Sequence, residues 1–240
     1  MRTSRNFFLC FLITYILIFY LGGCRKEDSS NVKDIIFNPD IEYGSVTDID
    51  GNTYKTLVIG NQEWMAENLR VTHYSNGDII GTTSSSLDIS GENSPKYQWA
   101  YNCNEKYAAI YGRLYTWYVV SDSRNLCPVG WHVSTNSDWI TLTGYPTFDW
   151  QAIGGSLKEL GNSHWKSPNT NATNSSGFSA LPGGNRENIF LNLNEYGFWW
   201  TSTENSPEHG KGYRLQYNIG NIYDTGNYKW VGNSVRCVKN

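Results

Sequence analysis

The sequence predicts an α+β domain, and the order of its local patterns indicates this class. An Asp-Gly turn between two β-prone runs comes first, near residue 50. Patterns with helical spacing follow between residues 111 and 160, and strand-like runs rich in glycine and aromatic residues occupy residues 198–238. Strands and helices that are segregated along the chain, rather than alternating, are typical of α+β domains.

The composition supports a globular chain and excludes two classes of protein. Of the 240 residues, 39% are hydrophobic and 17% are charged, which is too apolar for a disordered chain. The formal net charge of -3 argues against a nucleic-acid partner, because such proteins normally carry a basic face. With 10 Trp, 17 Tyr and 23 Gly, the chain lacks the bias toward strong helix formers that a helical bundle needs.

The N-terminus resembles a bacterial lipoprotein signal. Arg2 and Arg5 precede an apolar run at residues 7–21, and Leu21-Gly22-Gly23 leads directly to Cys24. A helical run of this length spans roughly 22 Å, which is shorter than the roughly 30 Å hydrocarbon core of a membrane. We therefore expect residues 1–23 to be removed and Cys24 to carry the lipid that anchors the protein to a membrane. The alternative is an uncleaved N-terminal anchor helix.

Residues 24–44 are expected to form the lipidated tether. The segment has no hydrophobic periodicity, and Pro39 interrupts any helix. Its start, Cys24-Arg25-Lys26-Glu27-Asp28, resembles the surface-export signal of Bacteroidetes lipoproteins. The simpler alternative is a charged tether that stays solvated. The expected location is the cell envelope, as an outer-membrane lipoprotein exposed at the surface.

The mature domain is expected to span residues 45–240 and to open with a β-hairpin. Asp50-Gly51 is a hairpin turn signal between runs at residues 46–49 and 53–59, and a third strand starts at Gln62. The Asp48-x-Asp50-Gly51 pattern also suggests a calcium loop. In an EF-hand, however, the glycine is the sixth residue of the loop, whereas here it is the fourth. We therefore interpret the segment as a turn.

Later elements follow from spacing and from capping signals. Thr135 and Asp138 form a capping box ahead of a helix. The other predicted elements are helices at Tyr111–Val120 and Phe148–Leu160, an exposed loop at Asn162–Ser176, and strands at Phe198–Ser202, Tyr213–Tyr217 and Ser234–Val238.

Six blocks of sequence resemble one family in the order in which they occur. They are Asn61-Gln62-Glu63-Trp64-Met65-Ala66-Glu67-Asn68-Leu69, Tyr111-Gly112-Arg113-Leu114-Tyr115-Thr116-Trp117-Tyr118, Leu126-Cys127-Pro128-Val129-Gly130-Trp131-His132-Val133, Gly177-Phe178-Ser179-Ala180-Leu181-Pro182-Gly183-Gly184-Asn185-Arg186, Phe198-Trp199-Trp200-Thr201-Ser202-Thr203-Glu204 and Ser234-Val235-Arg236-Cys237-Val238. The family is the Fibrobacter succinogenes major paralogous domain, and the resemblance covers about residues 45–240.

The resemblance implies a fold and a disulfide, but no activity. The family is similar to the C-type-lectin-like and formylglycine-generating-enzyme superfamily, which implies a C-type-lectin-like α+β domain with short helices and a small, twisted antiparallel sheet. Cys127 and Cys237 lie inside family blocks, so the resemblance implies that they are paired. Cys103 is then expected to be a free thiol, with an intermolecular bridge as the alternative.

No catalytic residue and no metal site are predicted. The four histidines lack the spacing of a metal motif, and Ser156 lacks the glycine that a nucleophile elbow requires. Glu195, Glu204, Glu208 and Asp224 offer carboxylates, but no pattern marks a catalytic pair. True C-type lectins bind sugar through Glu-Pro-Asn or Gln-Pro-Asp and Trp-Asn-Asp motifs. Here residues 204–207 and 230–233 match these motifs only in part. No cofactor is therefore expected, and no motif supports calcium binding.

The aromatic content favours glycan as the ligand. Sugar C–H faces stack on tryptophan and tyrosine rings, and neighbouring residues on a strand point to opposite sides. One of Trp199 and Trp200 can therefore belong to the core while the other points outward; the alternative is that both are buried by loops. The predicted ligand-binding residues are Trp199, Trp200, Glu204, Arg186 and Tyr213. The expected function is non-enzymatic glycan binding, with an envelope protein partner or a cryptic polysaccharide-active enzyme as alternatives.

Overall fold

The computed structural model describes residues 33–144 and 150–240. The predicted signal, Cys24 and the first part of the tether lie outside the described residues. Among the described residues, no helix has the length and apolar character needed to cross a membrane. The strands are β1 Gly44–Thr47, β2 Thr53–Ile59, β3 Gln62–Met65, β4 Gln98–Trp99, β5 Leu114–Tyr115, β6 Trp131–Val133, β7 Asn185–Arg186, β8 Phe190–Leu191, β9 Tyr196–Glu204, β10 His209–Gln216, β11 Ile222–Tyr228 and β12 Cys237–Lys239. The helices are α1 Glu105–Tyr111, α2 Trp117–Val120, α3 Asn136–Thr143 and α4 Trp150–Leu157, with a 3₁₀ turn at Tyr101–Cys103.

The first sheet has the strand order β1-β2-β3-β12-β6, and its strand pairs are antiparallel. It contains the predicted N-terminal hairpin, with Val46 opposite Tyr54. The Asp48 carboxylate accepts hydrogen bonds at 2.9 Å from the backbone N–H groups of Asp50 and Asn52 and so holds the turn closed. These bonds confirm the interpretation of this segment as a turn.

The second sheet has the strand order β11-β10-β9 and is also antiparallel. Its β9 strand separates two hydrophobic clusters. Trp199 packs into the cluster that contains Trp64 and Trp139, whereas Trp200 packs into the cluster that contains Tyr115 and Val235. Both faces of β9 are therefore covered by core, and the mixture of few helices with small antiparallel sheets confirms the α+β class.

The helix predicted at residues 111–120 is confirmed only at its C-terminal end, where α2 covers Trp117–Val120. Helix α1 ends at Tyr111, because Gly112 has a φ of 76° and a side chain there would lie 2.5 Å from Cβ of Asn68. The chain then pairs as β5 with β4 before α2 begins at Trp117. Helix α3 confirms the capping box, since Thr135 and Asp138 exchange both of the expected hydrogen bonds. Helix α4 ends at Leu157, three residues before the predicted end.

The loop predicted at residues 162–176 contains no helix or strand, but it is not simply exposed. Four of its side chains are buried, namely His164, Trp165, Asn169 and Asn174. The last strand, which the sequence places at Ser234–Val238, begins at Cys237 in the structure. Strand β11 was not among the predicted strands.

The disulfide between Cys127 and Cys237 is confirmed, and it joins the segment before β6 to β12. Cys103 is also disulfide-bonded. The expectation that Cys103 is a free thiol is therefore wrong.

Candidate functional site

The structure buries four of the five residues predicted to bind a ligand. Trp199 and Trp200 are both 0% exposed. Trp199 donates its indole N–H to Oδ1 of Asn68 at 2.8 Å, and Trp200 donates to the carbonyl of Tyr115 at 2.8 Å. The structure confirms the interpretation in which both are buried, because core covers both faces of β9, and neither ring is available to a ligand.

Tyr213 and Arg186 also have internal roles. Tyr213 stacks on Trp139 with ring centroids 4.7 Å apart, and Arg186 lies over the Trp99 ring at 4.3 Å. Nη2 of Arg186 donates to the carbonyl of Leu87 at 2.7 Å. Arg186 therefore fixes the loop that precedes β4 and does not meet solvent.

Glu204 is the one predicted ligand residue at the surface. Its side chain is 56% exposed and forms an ion pair with Nζ of Lys229. This contact brings Glu204 to the edge of a groove that the sequence did not predict.

The groove lies where the β9–β10 turn meets the end of β11 and helix α2, and it encloses about 290 Å³. Its walls combine three aromatic residues with two glutamates and one lysine. The lining residues are Ser90, Glu92, Tyr118, Pro207, Glu208, Tyr228, Lys229 and Trp230.

Backbone hydrogen bonds hold these segments together. The N–H of Lys229 donates to the carbonyl of Glu208, and the N–H of Trp117 donates to the carbonyl of Lys229, each at 2.9 Å. The N–H of Val231 donates a hydrogen bond to the carbonyl of Tyr228 at 2.9 Å. The part of the groove formed by α2, the β9–β10 turn and the end of β11 is therefore fixed before any ligand binds, which lowers the entropic cost of binding.

A β-turn after strand β11 places two aromatic rings at the groove. Strand β11 ends at Tyr228, and Lys229 and Trp230 are the central residues of the turn that the bond from the N–H of Val231 to the carbonyl of Tyr228 closes. The Lys229 side chain is 6% exposed, and Nζ donates to the carbonyl of Pro207 at 2.8 Å. The same ammonium group lies 4.5 Å from the centroid of the Trp117 ring.

The rings of Tyr228 and Trp230 form a nearly parallel pair. Their centroids are 6.0 Å apart and the interplanar angle is 17°. The ring of His209 also contacts Tyr228, with ring centroids 4.5 Å apart. Tyr228 is 49% exposed and Trp230 is half-buried. The pair is thus an ordered aromatic surface that solvent reaches.

Trp230 differs from most tryptophans of the core. Seven buried indoles donate their N–H to a partner: Trp64, Trp99, Trp117, Trp139, Trp165, Trp199 and Trp200. Within residues 33–144 and 150–240, the indole N–H of Trp230 has no such partner. A donor at the groove surface is available to a polar group of a ligand.

Two carboxylates complete the groove. Glu92 accepts a hydrogen bond from the Tyr97 hydroxyl at 2.8 Å. The Glu208 carboxylate has no hydrogen-bond partner in the described part of the chain, and both glutamates are exposed. The arrangement offers ring faces for apolar C–H groups and anionic acceptors for hydroxyl or amino groups.

Three other cavities among the described residues present less aromatic surface. One shares Tyr118 with the groove, one contains the buried Trp99, and the third has no aromatic lining residue. The described residues also contain no group of three or more His, Cys, Asp or Glu side chains placed to hold a metal ion. The groove is therefore the best candidate binding site in this part of the chain.

The sequence contained one signal for this groove. The segments at residues 204–207 and 230–233, which partly match lectin motifs, contribute Pro207 and Trp230 to its lining. This signal does not indicate that Glu92 and Tyr118, which come from segments much earlier in the chain, also line the groove.

Comparison with protein families matches residues 57–239 to the Fibrobacter succinogenes major domain. The chain belongs to this family. The matched Fibrobacter succinogenes major domain contains every residue that lines the groove. Comparison with curated proteins gave no match, and comparison with solved structures gave none either.

Proposed function

We propose that this protein is a lipid-anchored module of the cell envelope that binds glycan in the groove without catalysing a reaction. The observation that carries the proposal is the exposed, nearly parallel pair of rings formed by Tyr228 and Trp230 beside two glutamates. Pyranose rings present C–H faces that pack on aromatic rings, while their hydroxyl groups need polar partners at the edges.

The size of the groove supports a small part of a glycan as its occupant. A volume of about 290 Å³ is at the lower end of the range of small-molecule sites. One or two sugar units therefore fill it, and the rest of a longer chain extends into solvent. Binding of this kind suits recognition of a repeated unit in a polysaccharide.

A C-type-lectin-like fold is part of the proposal. Family membership and the small antiparallel sheets with few helices support it. The groove lies at one end of the second sheet, where the β9–β10 turn meets the end of β11.

We further propose that Cys24 is lipidated and holds the protein in the outer membrane, exposed at the cell surface. The apolar run at residues 7–21 followed by Leu21-Gly22-Gly23-Cys24 supports this. The acidic balance of the chain supports glycan rather than nucleic acid as the partner.

Replacement of the proposed lipid-bearing residue tests the anchoring. In the Cys24→Ser variant, the protein is expected to move from the membrane fraction to the soluble fraction, because the acyl chains supply the membrane affinity. Fractionation followed by immunoblotting measures the distribution. Retention of the variant in membranes at the wild-type level would overturn this part of the proposal.

A glycan array tests the binding function. Full-length Cys24→Ser protein is applied with calcium and with chelator, together with versions that add Trp230→Ala or Tyr228→Ala. We expect binding to one class of glycan and at least about a tenfold loss in either variant, because each ring supplies on the order of 1–2 kcal/mol of contact. Tyr217→Ala is the matched control, since Tyr217 lies beyond the other end of β10. Unchanged binding by the Trp230→Ala variant would contradict the proposal.

The two glutamates support a polysaccharide-active enzyme as a second candidate, because glycosidases use a pair of carboxylates. Release of reducing ends from bound polysaccharide distinguishes the two functions. We expect no release above the level of a Glu92→Gln, Glu208→Gln double variant. Release by the wild type alone would favour the enzyme.

A further inference from the structure

We propose that the groove selects glycans that carry free amino groups over neutral glycans and rejects glycans that carry carboxylate or sulfate groups. This inference rests on the proposed function, since it names the class of glycan that the same groove binds. It follows from which charges at the groove are available to a ligand and which are already paired.

The negative charges of the groove are available. Glu92 and Glu208 both line it and are both exposed to solvent. Glu92 accepts only the neutral Tyr97 hydroxyl, and within the described residues neither carboxylate forms an ion pair. A ligand therefore meets two carboxylates that form no direct ion pair, and Glu92 alone of the two lies within the electrostatic range of the buried Arg186.

The positive charge of the groove is not available. Nζ of Lys229 contacts the Glu204 carboxylate and the Pro207 carbonyl, and it lies over the Trp117 ring. Its side chain is 6% exposed, so an anionic sugar cannot reach the ammonium group without breaking these contacts. Removing a partner from a buried charge costs free energy, so the Lys229 ammonium group keeps these contacts instead of binding an anionic sugar.

The cations on the neighbouring surface are also paired. Lys96 contacts Asp122 at 2.6 Å, and Arg124 contacts both Asp122 at 2.8 Å and Asp78 at 3.0 Å. These cations lie next to the groove through Tyr118, which lines both cavities. Because each faces a carboxylate, this surface does not reverse the negative sign of the groove.

The aromatic rings strengthen the preference for a cationic ligand. An ammonium group is attracted to the face of a tryptophan or tyrosine ring, and the groove presents Trp230, Tyr228 and Tyr118. An amino sugar satisfies both features, since its C–H face packs on a ring while its ammonium group lies beside a carboxylate. A neutral sugar satisfies only the first.

Three oligosaccharides of equal length test the preference. Oligomers of glucosamine, N-acetylglucosamine and galacturonic acid are titrated into full-length Cys24→Ser protein in mildly acidic buffer, where the free amines are protonated, and binding is followed by calorimetry. We expect the glucosamine oligomer to bind at least about fivefold more tightly than its acetylated counterpart. We expect the galacturonate oligomer not to bind, and added salt to reduce the preference.

Charge-neutral variants test whether the two groove glutamates cause the preference for the amino group. Glu208→Gln and Glu92→Gln are each expected to reduce the preference for the amine about threefold while leaving affinity for the acetylated oligomer unchanged. Glu195→Gln is the matched control, because Glu195 pairs with Lys166 and does not line the groove. A preference that survives the loss of both groove glutamates would overturn the inference.

The outcomes separate this inference from the proposed function. If the acetylated or the galacturonate oligomer binds as tightly as the glucosamine oligomer, the inference is wrong and glycan binding stands. If none of the three oligomers binds while the glycan array finds another neutral class, the inference is also wrong. If no saccharide binds in either experiment, the proposed function itself fails.

Discussion

At the scale of the residue, the most informative side chain is Arg236, which is 0% exposed. Its Nη1 donates to the carbonyls of Met65 at 2.9 Å and Phe178 at 2.8 Å, and its Nε donates to Oδ1 of Asn68 at 2.7 Å. The same Asn68 oxygen accepts the indole N–H of Trp199. Arg236 thus satisfies backbone groups from two distant segments and links them to β9.

Removing this guanidinium is expected to destabilise the fold strongly. In an Arg236→Met variant, buried carbonyls lose their donors, and we expect a loss of about 3–5 kcal/mol in the free energy of unfolding. Urea denaturation measures the loss. Lys239→Met is the matched control, because Lys239 is 54% exposed in its contact with Glu63 and surface pairs contribute less than about 1 kcal/mol. Equal denaturation midpoints for the two variants would contradict this account.

Single residues also show what the sequence can and cannot predict. The alternation of side chains along a strand is a local property. As it predicts, Trp199 and Trp200 lie on opposite sides of β9 in the structure. Whether each side meets solvent depends on segments far away in the sequence, such as those that carry Trp139 and Tyr115. This is why the sequence did not show that Trp199 and Trp200, both predicted to bind ligand, are buried.

At the scale of the element, residues 33–43 lie against the domain. The N–H of Ile36 donates to the Glu159 carboxylate at 2.7 Å, and the Tyr43 hydroxyl donates to the carbonyl of Gly177 at 3.0 Å. His164 contacts the same Glu159 carboxylate at 2.7 Å and the carbonyl of Lys33 at 2.9 Å. The His164–Glu159 pair therefore fastens the end of the tether to the loop after α4.

The pair predicts a pH dependence of stability. Burial opposes the charge on His164, but hydrogen bonding and charge attraction from Glu159 outweigh it, so the pKa of His164 is raised above 6.5. A raised pKa in the folded state means that the pair stabilises the protein fully below the ordinary pKa. This contribution is lost as the pH rises through the folded pKa.

Urea denaturation at a series of pH values, from roughly 6 to 9, tests this dependence. The stability difference between wild type and His164→Gln is expected to shrink as the pH rises. His132→Gln is the control, since His132 contacts Asp138 at the surface with 36% of its side chain exposed. A difference that is constant with pH, or that grows with pH, would refute the assignment.

Elements whose signals are local were predicted well, and elements set by tertiary contacts were not. The Thr135 cap and the first hairpin depend on neighbouring residues and are present as predicted. The first part of the helix predicted at residues 111–120 is not helical, because Gly112 fits against Asn68 and because β5 pairs with β4. Those contacts join segments that sequence periodicity does not connect.

At the scale of the whole molecule, the disulfide closes the chain across 110 residues. Both cysteines belong to the cluster that contains Trp200 and Val235. In the chain-entropy model, a loop of this length stabilises the folded state by about 4–5 kcal/mol. A Cys127→Ala, Cys237→Ala double variant is expected to lose about this much in guanidinium denaturation. A midpoint equal to that of the wild type would show that the disulfide contributes little.

The groove is also a property of the whole molecule. It combines Glu92, Tyr118, Glu208 and Trp230, which are far apart in the sequence. Family blocks and composition predicted the α+β class and the disulfide, because both leave marks in short stretches of sequence. The partial matches to lectin motifs indicate only Pro207 and Trp230, because the groove itself arises only where the β9–β10 turn, α2 and the end of β11 meet.

The most direct test of glycan binding in the groove is nuclear magnetic resonance of the tryptophan indole N–H groups during titration with an oligosaccharide selected by the glycan array. The Trp230 signal is assigned with a Trp230→Phe variant. The account predicts that this signal shifts in a saturable way while the signals of the buried Trp199 and Trp200 stay in place. A saturable shift of other indoles with Trp230 unmoved would show that the ligand binds elsewhere and would contradict the account.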